Sequence, residues 1–105
     1  MIDRQLSAVV FVQDYLQLQF DGSTLTLYVW PSVELSEFRA DFAKAGYRDL
    51  LCNQIGKTIG KVLDDGEKIS LHFHEGAVVT VALKNGDLPE AAMFHDQSGN
   101  CRVWR

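Results

Sequence analysis

Apolar and polar residues alternate with a period of two through much of this chain. From Tyr15 to Phe20, Leu16, Leu18 and Phe20 fall on one side and Tyr15, Gln17 and Gln19 on the other. From Thr24 to Trp30, Leu25, Leu27 and Val29 face one way, and Thr24, Thr26, Tyr28 and Trp30 the other. Side chains of an extended chain point alternately to its two faces, so each stretch predicts a strand with one face on a core. Asp21-Gly22-Ser23 lies between them and supplies the positive φ of a tight turn, which joins the two as a hairpin. Ahead of them, Ala8 to Gln13 is a nearly continuous apolar run, the pattern of a strand covered on both faces.

Pro31 cannot donate to a ladder and ends the second strand or confines it to an edge. The pattern then changes. Between Ser32 and Ala45, Ser36 suits the cap of a short helix carrying Phe38 and Phe42 four residues apart and stopping at Gly46, and an irregular loop is the alternative. Tyr47 to Ile55 sets Leu50, Leu51 and Ile55 on one stripe with Arg48, Asp49 and Asn53 elsewhere, and Gly56 follows as a stop. This predicts the main helix near residues 47–55.

Beyond it, strands are predicted at Thr58 to Leu63, Lys68 to His74, Ala77 to Leu83, Ala91 to His95 and Cys101 to Trp104. Turn signals separate most of them: Asp64-Asp65-Gly66, Glu75-Gly76, Asn85-Gly86 and Ser98-Gly99-Asn100. The fold class expected is α+β, mainly an antiparallel meander of about seven or eight short strands, with one helix covering the apolar face of the sheet.

Composition adds little to the fold and more to the exclusions. A chain of 105 residues with 47% hydrophobic and 23% charged positions has the size and balance of a single globular domain, expected over 1–105. The apolar run Ala8 to Val12 is too short for a signal-peptide core or a membrane span, so neither export nor a membrane is expected and the location expected is cytoplasmic. The net charge is −4 and the cations are scattered, which argues against nucleic acid and leaves a basic protein partner electrostatically easier. Cys52 and Cys101 are far apart and lack a Cys-x-x-Cys partner, so buried free thiols are expected, Cys52 being packed within the helix.

Few residues suggest chemistry. In the strand Lys68 to His74, Ile69, Leu71 and Phe73 share the core face and Ser70, His72 and His74 the other. The two histidine Cα atoms would stand about 6.6 Å apart, close enough for both rings to reach one Zn²⁺. Zinc needs three or four protein ligands, and the remaining candidates are His95, Glu75, Asp96 and the two cysteines, none fixed by spacing to face these histidines. The plainer reading is that alternation places any polar residue on the solvent side. Gly56-Lys57-Thr58 looks like the end of a phosphate-binding loop, but the pattern requires a glycine where Leu51 stands and a strand ahead of it. Asp64, Asp65 and Glu67 sit at a turn, where aspartate is wanted for backbone reasons. No nucleophile signature is present, and no catalytic residue is expected.

A contact surface is easier to argue. Tyr15, Gln17, Tyr28 and Trp30 stand on the polar faces of the hairpin, and aromatics among polar neighbours are favoured at interfaces. The competing expectation is that Ser32 to Ala45 covers Tyr28 and Trp30. A pocket for a small ligand lined by Gln17, Thr26 and His72 is a further alternative.

The segments FDGSTLTLYVWPSVEL, GYRDLLCNQIGKTIG, ISLHFHEGAVVTVAL and PEAAMFHD together resemble small uncharacterised bacterial single-domain proteins, some described as immunity-type proteins that bind and neutralise a toxin. The resemblance carries over no catalytic residues. It implies a small acidic binder without enzymatic activity. The missing catalytic signatures and the acidic balance lead to the expectation of a binding module that meets another protein or self-associates as a homo-oligomer through a sheet edge or the aromatic face.

Overall fold

The computed structural model describes residues 2–35, 38–83, 91–96 and 98–104. Within them the order is β1 (Leu6–Phe11), β2 (Leu16–Phe20), β3 (Ser23–Leu27), β4 (Ser32–Leu35), β5 (Phe38–Ala40), α1 (Tyr47–Cys52), β6 (Ile59–Asp64), β7 (Lys68–Phe73), β8 (Val78–Ala82), β9 (Ala92–His95) and β10 (Cys101–Trp104).

The strands form two antiparallel five-stranded sheets, in the orders β1-β2-β3-β9-β10 and β5-β4-β8-β7-β6. Alternation decides what each sheet buries. Leu16, Leu18, Phe20, Leu25 and Leu27 from the first and Val33, Ile69, Leu71, Phe73, Val79 and Val81 from the second belong to one buried cluster. Each sheet therefore covers the apolar face of the other.

The edges of the two sheets are tied together. Just ahead of β1, the Asp3 amide donates to the Ile59 carbonyl at 2.8 Å, and the Ile59 amide donates to the Arg4 carbonyl at 3.1 Å. At the far end of β6, Asp64 Oδ2 accepts from Trp104 Nε1 at 2.8 Å and from Arg102 Nη2 at 3.0 Å. β1 and β10 are the outer strands of the first sheet, about 19 Å apart at the usual spacing, and a strand of β6's length reaches about as far. β6 therefore runs across that sheet instead of along it, and the two layers cross obliquely.

Several expectations are corrected by this architecture. Ten strands are present among the described residues, more than the seven or eight expected, and they do not form one meander: β3 pairs with β9 and β4 with β8. Ser32 to Ala45 contributes two strands, β4 and β5, joined in register at Val33 and Ala40. The Ser36 cap and the Asn85-Gly86 turn fall outside the described residues. The helix is shorter than 47–55. It ends at Cys52, with Asn53 to Gly56 in turns. Tyr47, Leu50 and Leu51 are buried while Ile55 is 43% exposed, so six helical residues already deliver the apolar stripe. Gly46 precedes this helix, with φ 85°, where it had been expected to end one. β1 is half-buried over most of its length because it is an edge strand with one face outward. Cys52 and Cys101 are both exposed free thiols: the first points away from the buried stripe, and the second lies on the edge strand β10.

Candidate functional site

The two sheets differ on the faces they turn outward. In the second sheet, pairing sets Ser32 opposite Thr80, Thr80 opposite Ser70 and Ser70 opposite Leu63. The next row is Arg39, Glu34, Val78, His72 and Lys61. In the first of these rows the three middle strands carry only the short side chains of Ser32, Thr80 and Ser70, while the second row carries the longer Glu34 and His72, so the face is hollow along the first row. The hollow has two adjoining parts. One, of about 510 Å³, is lined by Glu34, Leu63, Asp64, Asp65, Lys68, Ser70, His72, Val78 and Thr80. The other, of about 520 Å³, runs on past Ser32 and Ala82 to Trp30, Arg39, Asp41 and Glu67. Glu34, Lys68 and Thr80 line both, so they form one trough.

Its charge is unbalanced. Five carboxylates line it, from Glu34, Asp41, Asp64, Asp65 and Glu67, against the cations of Arg39 and Lys68. Some of these carboxylates are engaged. Asp65 Oδ1 accepts from the Glu67 and Lys68 amides, each at 2.9 Å, and these bonds hold its carboxyl below the usual range. Asp64 is held low first by the Trp104 indole and then by the Gly66 amide. Arg39 lies 3.7 Å from Asp41. The exposed Glu34, at the junction of the two parts, has no ion-pair partner among the described residues.

The outer face of the first sheet is filled. Gln17 Nε2 donates to Thr26 Oγ1 at 3.3 Å across the β2–β3 pair, and the Tyr15 and Tyr28 rings meet at 6.1 Å just beyond it. Three of the four surface residues expected from the sequence are thus neighbours here, and the fourth is elsewhere. Trp30 lies in the passage from β3 to β4, stacked on Phe42 at 4.2 Å. Phe42 belongs to the segment expected to cover it, and Trp30 is half-buried against the core.

The histidines are divided in the same way. His72 lines the trough. His74, beyond the end of β7, lies 3.8 Å from Asp3 Oδ1, its ring against Gly60. His95 is in the first sheet, opposite Thr24 and Cys101, so the structure does not bring it to the other two. No three His, Cys, Asp or Glu side chains converge as a metal-binding group among the described residues. Gln17 and Thr26 lie on one outer face and His72 on the other, so they line no common pocket.

Glu34, Ser70 and Thr80 were not singled out from the sequence. The signal that could have found the floor is one small hydroxyl residue at an outward position in each of β4, β7 and β8, Ser32, Ser70 and Thr80, and these become a hollow only once the strands are paired. No helix among the described residues is long and apolar enough to cross a membrane. Compared with known proteins, the chain matches no family model, no curated protein and no solved structure.

Proposed function

We propose that this protein is a non-catalytic binding module that receives a basic segment of a partner protein in the trough of its second sheet. The observation that carries the reading is the continuous hollow in which five carboxylates face the cations of Arg39 and Lys68 and, paired to Asp64 at 3.0 Å, that of Arg102. Such a surface attracts and orients a cationic chain through charge complementarity. The serine and threonine hydroxyls of its floor can hydrogen-bond an extended backbone, and Trp30 closes one end with a ring suited to a lysine or arginine side chain. The resemblance to immunity-type proteins read from the sequence is compatible with this, since it implies a small acidic binder without enzymatic activity.

The test is fluorescence anisotropy with a labelled unstructured Lys/Arg-rich peptide and its Glu/Asp-rich counterpart, at low and physiological salt. Saturable binding of the cationic peptide alone is expected. Glu34→Lys should weaken it by about tenfold or more through charge, and Thr80→Trp should weaken it by filling the hollow without changing charge. Equal binding by wild type and both variants would leave only diffuse attraction to an acidic protein and would sink the proposal.

A further inference from the structure

We infer that a separate notch on the far side of Trp30 binds a planar aromatic carboxylate. Three parts of the chain meet there: Phe11 to Gln13 at the end of β1 and just beyond it, Trp30 in the passage between the sheets, and Phe42 and Arg48 from the turn before α1 and from α1 itself. They line an open notch of about 320 Å³, near the lower end of the range for small-ligand sites. The notch shares only Trp30 with the trough.

Its aromatic wall is fixed from behind. The Phe42 ring lies on Trp30 with 23° between their planes, and the buried Tyr47 ring meets Phe42 edge-on at 6.0 Å. The Tyr47 hydroxyl donates to the Pro31 carbonyl, one residue beyond Trp30. Phe42 is nevertheless 47% exposed. A flat apolar surface is thus held in a set orientation and left in water, where a second ring would gain both burial and offset stacking.

Arg48 supplies the charge of the lining. The Arg48 guanidinium stands 5.2 Å from the centre of the Phe11 ring and has no carboxylate in ion-pair reach among the described residues. A planar guanidinium presents parallel donors that match a carboxylate bidentately. The chemistry of the notch therefore favours a ring against Phe42 and Trp30 carrying an anionic group toward Arg48.

The probe is indole-3-acetate, titrated against isotope-labelled full-length protein, with indole-3-acetamide as its neutral analogue and acetate as the anion without a ring. Saturable shifts of the Trp30 indole N–H and the Arg48 Nε–H are expected with indole-3-acetate, which should bind about tenfold or more tightly than either analogue. Arg48→Gln should abolish the preference for acid over amide while keeping a dispersed spectrum. Phe42→Ala should weaken acid and amide together. The inference is overturned if no signal saturates, if acid and amide bind wild type alike, or if Arg48→Gln keeps the preference.

Discussion

Across the outer face of the first sheet, Val10, Gln17, Thr26, Met93 and Val103 stand in one row, while the middle of the second sheet offers Ser32, Thr80 and Ser70. Both rows follow from the same alternation, and both sheets contain five antiparallel strands. In the first, Gln17 and Met93 alternate with smaller neighbours, Gln17 bonds Thr26 and Tyr15 meets Tyr28. In the second, short side chains leave a gap between charged margins. Periodicity assigns a residue to a face, and side-chain volume at paired positions decides whether that face is level or hollow.

If the sheets differ only outside, their inner faces should be energetically alike. Leu18 in β2 and Leu71 in β7 are each fully buried. Leu18→Ala and Leu71→Ala should each cost about 2–5 kcal/mol in urea unfolding, from lost transfer energy and the cavity left behind. A loss near zero for one of them would mean that its sheet does not share the common core, and the comparison would fail at its base.

The same contrast explains what could be read from the chain beforehand. The β2–β3 hairpin was legible because its pairing is local, with clean alternation on either side of Asp21-Gly22. Gly22, Gly66, Gly76 and Gly99 all adopt positive φ, as the turn signals required. Ser32 to Ala45 misled because Phe38 and Phe42, four apart, imitate a helical stripe. In the structure Phe38 ends against Leu35 on a short edge strand, Phe42 lies in a turn, and both rings are substantially exposed. What makes this segment extended is the pairing of β4 with β8, more than forty residues away in the chain, and no local pattern encodes that. The trough was hidden for the same reason, since Ser32, Thr80 and Ser70 become neighbours only through pairings between remote strands.

A smaller effect is expected where the sheets are joined. Asp64→Ala removes the acceptor for the indole of Trp104, itself 8% exposed, and should cost about 1–2 kcal/mol at neutral pH through the unpaired donor. The Asp64 carboxyl is held below its usual value, chiefly by that indole, so the unfolded chain takes up its proton first as the pH falls. The stabilisation is therefore present above about pH 3.9, the ordinary carboxylate value, and is lost as the pH drops through the lower folded value. Unfolding curves of wild type and variant should converge on acidification. A gap that stayed constant down to acidic pH would show that the Asp64 charge does not secure the join.

The smallest effect separates two residues that alternation alone would pair. A Cβ on Gly60 would stand 2.7 Å from His74 Cε1, a contact closer than folded proteins tolerate. The His74 side chain is 60% exposed and free to swing outward, and Gly60 has no positive φ that alanine would strain. Gly60→Ala should therefore change stability by no more than about 0.5 kcal/mol, within the range of ordinary surface substitutions. Its mark should be in the spectrum: the His74 ring signals should move as the ring leaves Asp3, while those of His72, inside the trough, stay in place. If both histidines shifted together, they would share one environment, and His72-x-His74 would have to be treated as a single site in place of one wall of the trough and one residue at its margin.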